Sequence, residues 1–104
     1  MIKSLLLSAD GRYRNGSEEL VQQWRDATGS KLWLDIQSEI TPEVRSLLQS
    51  FDCNQLALLD AGRMRHPPKV ENFDANCFIL FRGISELDDS LDHVPQQLAV
   101  WVGE

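Results

Sequence analysis

Ile40, Val44, Leu47, Leu48 and Phe51 are spaced so that they all fall on one side of an α-helix. This is the clearest periodic signal in the chain, and it obliges the fold to supply an apolar surface for that stripe to cover. Thr41 and Pro42 open the segment. A threonine hydroxyl can cap the first free N–H groups, and proline at the first helical position has no N–H to leave unpaired. The surface to be covered comes from short apolar runs, Ile2–Leu7, Leu32–Ile36, Cys77–Phe81 and Leu98–Val102. Each has strand length, and none approaches the roughly 20 residues that span a bilayer.

Other elements follow from local chemistry. Asp10-Gly11 marks a tight turn, after which Arg12–Arg14 returns as a short strand closed by Asn15-Gly16. Ser17 is a candidate helix cap with Glu18 and Glu19 behind it, where the helix dipole favours carboxylates. Leu20, Val21, Trp24 and Ala27 continue that helix, and Thr28-Gly29 ends it. Lys31–Ile36 reads as an interior strand. Asn54 caps a second short helix that runs through Leu59 to Ala61, with Gly62 behind it. Pro67-Pro68 forbids further helix, so Lys69–Asp74 is extended. Glu86–His93 is a polar loop between the last two strands. Apolar strands separated by amphipathic helices predict an α/β (α+β) domain over residues 1–104, layered α/β/α, with a central mixed sheet flanked by short helices.

Charge narrows the partners. A formal net charge of −6 opposes nucleic-acid binding, which needs a basic face, and opposes adhesion to anionic lipid. It suits divalent cations, and equally plain solubility. Met1–Leu7 has too short an apolar core for a signal peptide, with Asp10 close behind and no small-residue cleavage site. Cys53 and Cys77 therefore read as reduced, packed thiols.

Metal ligands are sparse. His66, His93, Cys53 and Cys77 lack the paired spacing of a zinc site. Glu86, Asp88, Asp89 and Asp92 place four carboxylates in one loop, and hard cations take oxygen ligands. The loop lacks an EF-hand's glycine and spacing, so a solvated connection is the stronger reading; Asp88, Asp89 and Asp92 stand as speculative ligands for magnesium or zinc. No glycine-rich phosphate loop and no nucleophile–base–orienter set is present, which points away from an enzyme. The basic connector Arg63–Lys69 reads as solvated charge or as the complement of an acidic surface on a neighbouring copy, and Trp24, Trp33 and Trp101 read as core.

From Phe51 the order of residues resembles a known family. Phe51-Asp52-Cys53-Asn54-Gln55-Leu56-Ala57-Leu58-Leu59-Asp60, a connector, then Pro68-Lys69-Val70-Glu71-Asn72-Phe73 is similar to a signature of CorA-type divalent-cation transporters. Trp33-Leu34-Asp35-Ile36, Thr41-Pro42-Glu43, Cys77-Phe78-Ile79-Leu80 and Gln97–Gly103 resemble flanking segments of that family in the same order, so the likeness covers about residues 31–103. It implies the N-terminal part of a cytoplasmic funnel domain, at the inner face of the plasma membrane. In the family that domain precedes a stalk helix, two transmembrane helices and a Gly-Met-Asn motif, none of which lies in residues 1–104. The implied assembly is a homopentamer carrying magnesium, or zinc, cobalt or nickel in some branches. The implied role is regulation and assembly, with no tightly bound cofactor. Asp60 matches the family's regulatory, divalent-cation-binding aspartate at the end of the short helix, although Leu59 replaces the glutamate that commonly precedes it. The alternative is a stand-alone α/β module that senses metal or binds protein. Because the chain stops after the Trp101 strand, the likeness also implies an incomplete sheet with an edge open to self-association.

Overall fold

The computed structural model describes residues 1–63, 67–87 and 93–104. It comprises two compact units, Met1–Glu39 and Ile40–Glu104.

In the first unit β1 (Ile2–Leu7), β2 (Tyr13–Gly16), α1 (Glu19–Asp26) and β3 (Lys31–Ile36) form an antiparallel sheet in the order β2-β1-β3 with the helix packed on it. The turn after β1 is set by Gly11, whose φ of +87° suits glycine, and by the Asp10 carboxylate, which accepts from the Arg12 N–H at 3.0 Å. β1 is the central strand, so its alternation decides the unit. Ser4 and Leu6 are buried, as are Leu20 and Val21 of α1, while Leu5 and Leu7 point to the opposite, exposed face. Ser17 does not cap α1. Its hydroxyl donates to the Ile2 carbonyl at 2.8 Å, its own carbonyl accepts from the Ser4 hydroxyl at 2.5 Å, and the helix begins two residues later. A polar pair that satisfies β1 thus takes precedence over the cap. Gly16 is fixed sterically, since a Cβ there would stand 2.8 Å from Leu20 side-chain carbons.

β3 is an edge strand, not the interior strand expected, because β1 already has β2 on its other side. Trp33 pairs with Leu5 on the face opposite the buried Ser4 and Leu6 and is 68% exposed; it is not core.

The second unit contains α2 (Pro42–Gln49), α3 (Gln55–Gly62), β4 (Lys69–Asn72), β5 (Asn76–Leu87) and β6 (His93–Gly103), the strands pairing antiparallel in the order β4-β5-β6. Both helix starts match their sequence signals. Val44 N–H donates to the Thr41 hydroxyl at 3.2 Å, and Leu56 N–H to the Asn54 side chain at 2.8 Å. The turn between them passes through Asp52, in the left-handed region at φ +60°. The Asn76 side-chain amide donates to the carbonyls of Phe51 and Asp52 at 3.3 and 3.2 Å and holds that corner against the start of β5.

The core of this unit is Ala57, Phe78 and Leu80, with Ala61, Phe73, Ala99 and Trp101 packed against it. Phe78 and Trp101 face each other across β5 and β6, ring centroids 4.8 Å apart. β5 and β6 extend well past the apolar runs that announced them, into the Glu86–His93 stretch, with a register irregularity between Ile84 and Glu86. Backbone pairing continues through polar residues because each strand's ladder is completed by its neighbour whatever the side chains. The mixed helix-and-strand class is as expected. The strands, however, are shared between two antiparallel sheets, since hairpins and an antiparallel return join them, and they do not gather into one mixed sheet.

Strand alternation gives the second sheet two unlike faces. Lys69, Glu71, Asn76, Phe78, Leu80, Gln97, Ala99 and Trp101 share the core-facing side. Val70, Cys77, Ile79, Phe81, Leu98, Val100 and Val102 share the other, which also carries Asn72 and Gln96.

Candidate functional site

Asp60 stands in the last turn of α3, and the chain returns from Pro67-Pro68 into β4. Lys69 pairs with Leu80 and Glu71 with Phe78 across the β4–β5 ladder. Because residues two apart on a strand share a face, both charged side chains lie on the side where Asp60 is. The Lys69 ammonium ion-pairs with the carboxylates of both Asp60 and Glu71 and sits 5.9 Å from the centre of the Phe78 ring. The Asp60 side chain is only 16% exposed, so its charge is drawn part-way out of water against an apolar floor.

The electrostatics follow from that arrangement. The hydrogen bond to Asp60, then that to Glu71, hold the Lys69 pKa above its ordinary value. The lysine is thus a fixed cation with no role as a base near neutrality. Two carboxylates around one ammonium leave the cluster with a net charge of about −1. A hard divalent cation has a chemical route in, by displacing the ammonium and taking carboxylate oxygens. Two side chains fall short of the six to eight oxygen ligands that calcium takes, or the octahedron that magnesium takes, so water or a neighbouring molecule must supply the rest.

Gln97 of β6 fixes the helix end that presents Asp60. Its Nε2 donates to the carbonyls of Arg63, Ala61 and Asp60 at 2.8, 3.1 and 3.4 Å. These are among the carbonyls that a helix C-terminus leaves without an internal partner. The opposite side-chain atom, Gln97 Oε1, is buried without a hydrogen bond. This orientation of the amide is the one the carbonyls require.

Among the sequence-derived candidates, Asp60 lies in this cluster. Asp88, Asp89 and Asp92 lie outside the described residues, as does His66. Cys53 and Cys77 are free thiols. Cys53 is buried, and burial, with a smaller contribution from Asp52, pushes its pKa up to about 11. Among the described residues no three His, Cys, Asp or Glu side chains converge on one point, and no helix is long and apolar enough to cross a membrane. Lys69, Glu71 and Gln97 lie in the segments that carry the resemblance, but the sequence gives them no role in a site. The i, i+2 spacing of Lys69 and Glu71 was the available signal, once β4 was known to place that side on the core. Comparison of the chain with protein-family models and with curated proteins gives no match.

Proposed function

We propose that this chain is a cytoplasmic regulatory and assembly domain of a CorA-like divalent-cation transporter, and that the Asp60–Lys69–Glu71 cluster is its cation-responsive element. The support is positional. The segments that resemble the family fall on consecutive elements, Trp33–Ile36 on β3, Thr41-Pro42-Glu43 at the start of α2, Asn54–Asp60 along α3, Lys69–Asn72 on β4, and the last two on β5 and β6. The observation that carries the reading is the contact between Asp60 and Lys69. It joins the two halves of the most specific segment, whose connector separates them by nine positions in sequence. In this reading Lys69 occupies the cation position at rest. Magnesium or zinc, with ligands completed by a neighbouring protomer, exchanges with it.

The reading frame beyond codon 104 tests the proposal. A stalk helix, two apolar stretches of about 20 residues and Gly-Met-Asn are expected there. A stop codon at that point overturns the transporter reading. It would leave the stand-alone metal-sensing or protein-interaction module, which the largely apolar outer face of β4-β5-β6 favours.

A further inference from the structure

The exposed side of the β2-β1-β3 sheet is built unlike a plain solvated face. Residues directly opposite each other in a ladder share a face, as do residues two apart on a strand. Leu5 pairs with both Asn15 and Trp33, and Lys3 with Asp35, so these five side chains stand together on the side away from Ser4 and Leu6. β2 stops at Gly16, opposite Ser4, so Lys3 has a cross-strand neighbour on β3 alone. Strand spacing puts Asn15 and Trp33 ~10 Å apart across β1. The result is an open hollow of about 170 Å³, lined by these five residues and Ser4. Its apolar surface comes from Leu5 and from the indole of Trp33, which is 68% exposed. Its polar groups are one ammonium, one amide and one carboxylate. Asp35 Oδ2 accepts from the Gln37 side chain at 3.1 Å, which leaves the other carboxylate oxygen for a ligand.

We propose that this hollow binds a single neutral sugar ring, a pyranose, with Trp33 as its stacking platform. Its polar and apolar groups together select that chemistry. Lys3 and Asp35 cancel in charge, and the chain carries a net −6, so an anion such as a nucleotide is disfavoured. A purely apolar ring would cover the ammonium, the amide and the carboxylate without giving them partners, at the full cost of their desolvation. One leucine and one indole are also too little apolar surface to hold a protein partner. A pyranose answers both halves of the site. Its C–H face lies against the electron-rich face of an indole, and its hydroxyls both donate and accept. The Asp35 carboxylate accepts from hydroxyls, the Lys3 ammonium donates to them, and the Asn15 amide does both. A few separated polar groups around an aromatic surface are the usual make-up of a small-molecule site. The hollow is smaller than the roughly 300–1,000 Å³ common for drug-sized ligands, so it takes one ring with a dissociation constant of about 1 mM. The inference rests on the first unit alone and does not depend on the transporter reading.

Saturation-transfer NMR on the intact 104-residue chain tests it, with methyl β-glucopyranoside and methyl β-galactopyranoside between about 1 and 50 mM. Transfer is expected chiefly to the C–H protons of one ring face. The indole N–H resonance of Trp33 should shift while those of Trp24 and Trp101 hold still. Trp33→Ala alters an exposed position, so it should leave the circular dichroism unchanged and weaken binding roughly tenfold or more. Trp33→Phe keeps a platform and should retain most of the affinity. Asp35→Ala should weaken binding several-fold, because a hydroxyl loses its acceptor. Three results would each overturn the proposal. One is no transfer to either glycoside at the highest concentration, and another is binding that survives Trp33→Ala. The third is adenosine bound at Trp33 as tightly as the glycosides, which would make the indole a general aromatic platform. The reading frame beyond codon 104 bears on none of these, so the two proposals fail separately.

Discussion

Replacing Gln97 by glutamate is the sharpest probe of how α3 is held. The wild-type amide has two N–H groups, and its two best acceptors are the carbonyls of Arg63 and Ala61, at 2.8 and 3.1 Å. At about 1 kcal/mol for each hydrogen bond, Gln97→Ala removes ~2 kcal/mol. About 1 kcal/mol of that returns because the buried, unpartnered Oε1 disappears as well, so the alanine variant is only mildly destabilised. Gln97→Glu is nearly isosteric but turns the donor into a carboxylate aimed at carbonyl oxygens. It loses the same bonds and adds repulsion plus an uncompensated, partly buried charge, a cost of about 3 kcal/mol in all. The excess over alanine, ~2 kcal/mol, corresponds to a folded-state pKa about 1.5 units above the unfolded value near 4.3. The folded state then holds the new proton more tightly than the unfolded state does. The excess is therefore absent below about pH 4 and complete above about pH 6. Urea denaturation reads this through Trp101, the tryptophan of the second unit, in a background with Trp24→Phe and Trp33→Phe. With a slope near 1 kcal/mol per molar urea, the midpoints of the two Gln97 variants should differ by ~2 M at pH 7 and converge at pH 4. Equal midpoints at pH 7 would refute the assignment of the Gln97 amide to the end of α3.

Two further outcomes are expected. Cys53, with its thiol pushed up to about 11 from an ordinary 9.0, stays protonated in the folded state where the unfolded chain ionises, so stability should decline between pH 9 and 11; a Cys53→Ala variant that keeps the same decline would dissociate it from this thiol. Lys69→Met should convert two shielded carboxylates into an adjacent like-charged pair, so millimolar magnesium should raise the melting temperature of the variant more than that of the wild-type chain, and calorimetry on the wild-type chain should show no submicromolar magnesium affinity, since its cluster already holds a cation.

The parts of the fold legible from sequence are those decided within a few residues. Thr41-Pro42 and Asn54 start their helices where expected because a cap is satisfied locally. What escaped depends on partners distant along the chain. Lys31–Ile36 has the composition of an interior strand, but β1 takes the centre of the sheet, and Trp33 is exposed because it pairs with Leu5 on the face opposite the buried Ser4 and Leu6. Ser17 has the right chemistry for a cap, yet its hydroxyl goes to Ile2, 15 residues away. The candidate site divides in the same way. Asp60, at the end of a short helix, was visible only through the family resemblance. Its partners Lys69 and Glu71 became significant only once the ladder with Leu80 and Phe78 put them on the buried side, and Gln97 lies more than 30 residues from the carbonyls it holds.

The bond from the Asn76 side chain to the Phe51 carbonyl spans 25 residues and has a consequence for alignment. Side chains alternate faces along a strand, so a slip of one position in the pairing of β5 would carry Asn76 to the far side of the sheet. The helical corner would then keep two bare carbonyls, and Asp52 would hold its left-handed conformation without support. A largely apolar hairpin has little in its own side chains to tell one alignment from the next. Here a single amide, reading two carbonyls at a bend formed much earlier in the chain, rejects the misaligned forms.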